Sequence, residues 1–130
     1  MNPAADGFDL ETMFVHLADG AAATPIEVGP DFRTELARRP DLHTGRMMAG
    51  IRLERSPPHW EMHPAGDEVI CLLSGSIDVV LEEPGGARVI PLRQRATCII
   101  PSGVWHRALV LEESEVIAIT RGAGTERRPA

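Results

Sequence analysis

Tyrosine is absent from this chain of 130 residues, and phenylalanine and tryptophan contribute only three and two. Any mechanism that needs a tyrosyl acid–base group is thereby excluded. Long apolar runs are missing as well. The longest uninterrupted one, residues 69–73, is five residues, far short of the roughly 20 that a membrane-spanning helix needs. Residues 1–11 carry acids, no Lys or Arg and no long apolar stretch, so they are not read as a secretory signal. Basic charge is neither abundant nor gathered. The 13 Lys and Arg against 19 Asp and Glu leave a net charge of −6, and Arg38 and Arg39, Arg93 and Arg95, and Arg127 and Arg128 are scattered. A duplex or an anionic membrane needs a concentrated basic face, so neither nucleic acid nor membrane is expected as a partner.

Cysteine is scarce too. Cys71 and Cys98 stand inside apolar segments with no second cysteine near either, which excludes zinc held by cysteine pairs. Two reduced, buried thiols in a cytoplasmic protein are the expected reading, with a disulfide between neighbouring strands as the alternative.

Apolar residues make up 43% and charged residues 25%, which suits one soluble globular domain. The 12 glycines and 11 prolines cannot fit inside long helices. Residues 31–39 form the one plausible helix, with Asp31 as cap, Phe32 and Leu36 on one face and Pro40 as stop. Elsewhere period-2 alternation and turn residues predict strands over 12–18, 25–29, 47–53, 59–63, 68–73, 76–82, 87–92, 96–100, 107–112 and 115–120. Ser74-Gly75 is read as the join between two of them, and Pro84-Gly85-Gly86 as a hairpin turn. So many short strands with almost no helix predict an all-β sandwich or small barrel. Residues 1–10 are expected to be a flexible N-terminus, 11–120 the domain, and 121–130 a polar C-terminal tail. Strands 69–73 and 116–119 are apolar on both faces, so a second subunit is expected to cover one of them, making a homodimer.

Chemistry gathers in two segments. In His59-Trp60-Glu61-Met62-His63, residues His59, Glu61 and His63 share one parity and project from one face of an extended strand. The turn through Gly66 returns the chain and sets Glu68 near His63, while Asp67 is read as a turn residue bonding backbone amides. In Pro101-Ser102-Gly103-Val104-Trp105-His106 a second turn delivers one histidine to the start of a strand. Imidazole and carboxylate on neighbouring strands make an open N/O site for a divalent first-row metal. His16 and His43 have no such company and are read as surface or loop residues. Trp60 faces away from the site by alternation, and Trp105 either lines the pocket mouth or caps the core. Ile70, Leu72, Ile77, Val79 and Leu81 share the interior with the site, which implies a small, mostly apolar cavity with one polar focus.

In these residues the chain resembles the cupin family, whose first motif runs G-x5-H-x-H-x3,4-E-x6-G. His63, Glu68 and Gly75 reproduce its later part in register, and Pro101, Gly103 and His106 match the middle of the second motif, G-x5-P-x-G-x2-H-x3-N. The likeness covers residues 45–120 and is to small single-domain bacterial cupins. It implies a jelly-roll barrel (double-stranded β-helix) with at most one short helix. Family metal ligands carry over to His63, Glu68 and His106. Arg55 and Arg95 stand at the leading glycine positions, Val110 at the final asparagine, and Glu61 where the first histidine belongs. Three roles stay open for Glu61: fourth metal ligand, general base beside the metal, or a polar residue in a site that has lost its metal. His59 is assigned to the rim, with ligation as its alternative, and His59 and Trp105 are the expected substrate-binding residues.

The resemblance implies a divalent ion (Fe, Mn, Ni or Zn) and a small-molecule ligand. A metal-dependent dioxygenase or isomerase is one reading. A non-catalytic metabolite-binding or sensing barrel, with or without metal, is the other, because the cupin barrel hosts many chemistries.

Overall fold

Two long, bent strands organise the chain in a computed structural model that describes residues 6–130. These are β5 (Glu68–Glu83) and β8 (His106–Thr120), which pair antiparallel along most of their length. β6 (Gly86–Arg93) and β7 (Thr97–Ile100) pair with the two halves of β5. β3 (Arg46–Leu53) pairs with one half of β8 and carries β1 (Met13–Leu17) and then β2 (Ala23–Glu27) beyond it. β4 (His59–Met62) pairs with the other end of β8 and carries β9 (Glu126–Pro129). The result is an antiparallel jelly-roll barrel with one short helix, α1 (Phe32–Ala37), outside it.

The segments 68–73 and 76–82, expected as two strands, are one strand, and so are 107–112 and 115–120. Ser74-Gly75, expected as a join between two strands, is a bulge within one. Inward positions of β5 are even up to Leu72 and odd from Ile77, whereas β8 keeps its even positions inward, and register shifts between Leu72 and Ile77 absorb the difference. The irregularity therefore keeps both halves of β5 facing one interior, which an unbroken strand could not do across a change of parity. Ser114 fixes it: its hydroxyl accepts the Ser76 N–H at 3.0 Å and donates to the Glu112 carbonyl at 2.7 Å. The core under the site is Leu72, Ile77, Val79, Leu81, Leu92, Cys98, Ile100 and Val116.

Cys71 and Cys98 are free. Cys98 pairs across the ladder with Ile70, so Cys71, one residue on, projects to the opposite face. Burial pushes the Cys98 thiol pKa up, and the charge of Glu68 adds to it.

Further expectations change. The polar tail carries a strand: residues 126–129 form β9, in register with β4 from His59↔Pro129 to Met62↔Glu126. The flexible start is expected over residues 1–10, of which 1–5 lie outside the described residues; at its end, Leu10 accepts the Gly50 N–H at 3.1 Å. His16 is buried on β1 with Nε2 2.7 Å from the Thr44 carbonyl, whereas it was read as a surface or loop residue. The helix forms, but Asp31 makes no side-chain cap bond; Phe32 instead packs edge-on against Phe14 at 5.2 Å.

Candidate metal centre

The site is assembled where β4, β5 and β8 begin or end. His59 and Glu61 lie on β4 and His63 follows it; Glu68 opens β5, and His106 opens β8 directly across from Glu61. Two bonds clamp the turns that carry these residues. The Gly103 N–H donates to the His63 carbonyl at 2.9 Å, and the Ser102 N–H donates to Asp67 Oδ1 at 2.9 Å. Asp67 thus bonds a backbone amide, in the other turn of the pair. His63, Glu68 and His106 are buried, while Glu61 and His59 are half-buried.

The rings of His63 and His106 stand 5.1 Å apart, centroid to centroid. Oε1 of Glu68 is 3.0 Å from Nε2 of His106 and 3.5 Å from Nε2 of His63, and Oε2 of Glu61 is 3.6 Å from Nε2 of His63. One donor atom each from Glu61, His63 and His106 lie within 4.8 Å of one another. With metal–donor bonds of about 2.1 Å, neighbouring ligands lie about 3.0 Å apart around an octahedral ion and about 3.4 Å around a tetrahedral one. The His106–Glu68, His63–Glu68 and His63–Glu61 separations are near that size, and Glu61, His63 and His106 together form a set that could hold a shared ion.

Hydrogen-bond logic agrees. Nδ1 of His106 is 3.1 Å from the Val104 carbonyl, which can only accept, so Nδ1 carries the proton. The Thr125 hydroxyl donates to the Gly122 carbonyl at 2.9 Å, so its contact of 2.8 Å with Nδ1 of His63 is one in which it accepts. In their neutral forms both imidazoles aim a bare Nε2 at the carboxylates. Nε2 of His63 is buried with no hydrogen-bond partner among the described residues.

Burial pushes the Glu68 carboxyl up, but the contacts from His106, then His63, then Thr120 prevail and hold it at about 2. Burial works against the His106 imidazolium, yet Glu68 and the Val104 carbonyl raise its pKa above the ordinary value. Burial likewise pushes Glu61 up, and His59, Arg127 and His63 outweigh it, leaving the pKa lowered. Oε1 of Glu61 is taken by His59 Nε2 at 3.0 Å and Arg127 Nε at 3.3 Å, which leaves Oε2 turned to the imidazoles.

Beside this polar focus lies a cavity of about 120 Å³ walled by Ile51, Leu53, Ile70, Ile77 and Val116, with His59 and Glu61 on its lining. Trp105 is not among the residues lining it. Its ring instead packs under the Arg128 guanidinium at 4.5 Å, and Trp60, facing away from the site, is flanked by Arg128 at 5.4 Å and Arg107 at 5.8 Å. Trp105, expected as a substrate contact, lies against Arg128 of the C-terminal strand.

Sequence reasoning missed Thr120, Thr125 and Arg127. Thr120 had a signal, since it lies on the inward parity of β8 and donates to Glu68. Thr125 and Arg127 had none, because residues 125–130 show no apolar alternation.

No family model matches the chain, and no curated protein does. Solved structures do. A cupin-2 domain containing protein from Shewanella frigidimarina aligns with a TM-score of 0.50 at 21% identity, over 65% of this chain and 71% of that one. A structure of Bacillus subtilis oxalate decarboxylase, concerned with its Mn(II) centers, gives a TM-score of 0.52 at 17% identity over 65% of this chain and 23% of that one. Fe(II) HppE in complex with substrate gives 0.50 at 16% identity, over 58% of this chain and 42% of that one. The likeness defines the class: a small protein of cupin fold. The chain spans less than half of the length of these last two chains, which are described with Mn(II) and Fe(II) respectively. No helix among the described residues is long and apolar enough to cross a membrane.

Proposed function

We propose that this protein is a metal-dependent enzyme acting on a small organic molecule, with His63, His106 and Glu68 as metal ligands and Glu61 as a fourth. The observation that carries the reading is the buried Nε2 of His63, unpartnered and turned toward two carboxylates and a second imidazole. Two nitrogens and two carboxylate oxygens suit iron(II) or manganese(II), and both neighbours named with a metal carry one of these. Such an ion, when bound, supplies Lewis acidity and, for iron, one-electron chemistry on a co-substrate. The chain's own residues then do the rest. The apolar wall excludes water from the bound molecule, and Glu61, tied through Oε1 to His59 and Arg127, keeps Oε2 for the ion or for a substrate proton. A cavity of about 120 Å³ restricts the apolar part of the ligand to about the size of benzene, which fills an engineered cavity of about 150 Å³.

The test is elemental analysis of protein purified without added metal, followed by oxygen uptake and product analysis across small catechols, thiols and keto acids. One iron or manganese per chain with turnover of one of these supports the proposal. Metal without turnover on any of them assigns the barrel to binding or sensing. Less than a tenth of an ion per chain, unchanged on reconstitution, overturns the metal reading.

A further inference from the structure

Three contacts on the metal centre and its support come from a short segment at the end of the chain. β9 pairs with β4, and this brings Thr125 to Nδ1 of His63, Arg127 to Oε1 of Glu61 and Arg128 between Trp60 and Trp105, where it also pairs with Glu82. None of these three residues is in a position to be a ligand itself. Two of them touch the atoms of His63 and Glu61 that face away from the centre.

We propose that residues 125–128 form a built-in strap that sets the donor state of the centre, with Thr125 as the positioning residue for His63. The inference rests on the metal reading above for its purpose, and on hydrogen-bond chemistry for its mechanism. A neutral imidazole carries one proton and can place it on either nitrogen. Here the choice is forced. The single hydroxyl proton of Thr125 is directed at the Gly122 carbonyl, so the hydroxyl oxygen faces Nδ1 of His63 as an acceptor and holds the ring proton there. Nε2 is left as a bare lone pair, and it is this atom that stands 3.5 Å from Glu68 and 3.6 Å from Glu61. Were the proton on Nε2, it would bond a carboxylate and block ligation. The strap is secured away from the site by Arg128, whose guanidinium lies 5.4 Å from the Trp60 ring and 4.5 Å from the Trp105 ring. Stacked arginine on two indoles gives the last strand an anchor that its sequence of charged residues would otherwise lack. On the opposite ring His106 gets the same service from the Val104 backbone carbonyl, so the two imidazoles reach one donor state by different means.

The experiment uses the full-length chain with Thr125→Val, which keeps the shape and removes the acceptor, Thr125→Ser, which restores it, and Arg128→Ala, which touches no donor. Two readouts are taken: long-range ¹H–¹⁵N correlation of the histidine rings in metal-stripped protein, and titration with Mn(II) alone followed by electron paramagnetic resonance. In the parent protein His63 should show its proton on Nδ1. Thr125→Val should move a substantial share of it to Nε2 and weaken Mn(II) binding by about 10- to 100-fold, the usual cost of losing an outer hydrogen bond to a ligand. Thr125→Ser should recover both. Arg128→Ala should move both in the same direction by a smaller factor. A His63 proton that stays on Nδ1 in Thr125→Val overturns the positioning role, and so does Mn(II) binding within twofold of the parent. Arg128→Ala identical to the parent in both readouts overturns the anchoring of the strap. If the parent binds no metal, the metal reading fails by itself while the ring spectra still decide the role of Thr125.

Discussion

Nε2 of His106 stands 3.0 Å from Oε1 of Glu68, although Nδ1 of the same ring already donates to the Val104 carbonyl. A neutral imidazole cannot donate from both nitrogens, so this contact joins two acceptors unless something positive lies between them. A proton on the ring meets the need in the metal-free protein, and a bound cation would meet it equally.

The first prediction is the pH dependence of the metal-stripped protein. The Glu68 carboxyl is held at about 2 against an ordinary 4.5, so its contribution to folding is complete above 4.5 and is lost as pH falls toward 2. The His106 pKa is raised above 6.5, so its contribution is complete below 6.5 and is lost as pH rises through the raised value. Stability of stripped protein in denaturant titrations should therefore be greatest between these limits and decline on both sides. In His106→Gln the alkaline decline should flatten.

A second prediction concerns the ion. On the proposed ligand set a metal takes the place of the His106 proton, so that binding releases protons and strengthens with pH. The rise in melting temperature on adding Mn(II) should be larger at pH 8 than at pH 6. An equal rise at both would place the ion away from His106.

Glu61 supplies the third. Glu61→His exchanges a hard oxygen for an imidazole and leaves His59 and Arg127 without their carboxylate. Preference should move from Mn(II) toward Zn(II) or Ni(II) by about tenfold or more in a competition experiment read by elemental analysis. An unchanged preference would remove Glu61 from the ligand set.

How much of this was legible in the chain depends on where the constraint lies. His63, Glu68 and His106 could be found because a metal or ion-pair centre needs particular residue types at particular parities beside tight turns, and both spacings are local. Ile70, Leu72 and Val79 were legible for the same reason, since alternation reports which face is buried. The bulge was not, because a glycine beside serine looks alike in a hairpin and in a bulge, and only the partner strand decides between them. β9 was hidden more deeply. Its pairing with β4 is long-range and its anchors are arginines, which carry no apolar period. The setting of Trp105 was hidden by the same omission, as the arginine that covers it is 23 residues away in the chain.

The last prediction tests that bulge directly. Gly75 has φ of +87°, a region that L-residues enter at a cost of about 1–2 kcal/mol. A Cβ there would also sit 2.3 Å from the Glu113 carbonyl oxygen and 2.3 Å from Ser114 Oγ. Neither atom can yield freely, since Ser114 holds the Ser76 amide and the Glu112 carbonyl together in a buried position. Gly75→Ala should lower unfolding stability by about 3 kcal/mol or more, strain and steric displacement together. Because the bulge keeps Glu68 and Val79 facing the same interior, the same variant should also weaken Mn(II) binding, although Gly75 touches no ligand. A full-strength site in a destabilised Gly75→Ala protein would show that each half of β5 finds its face without the other.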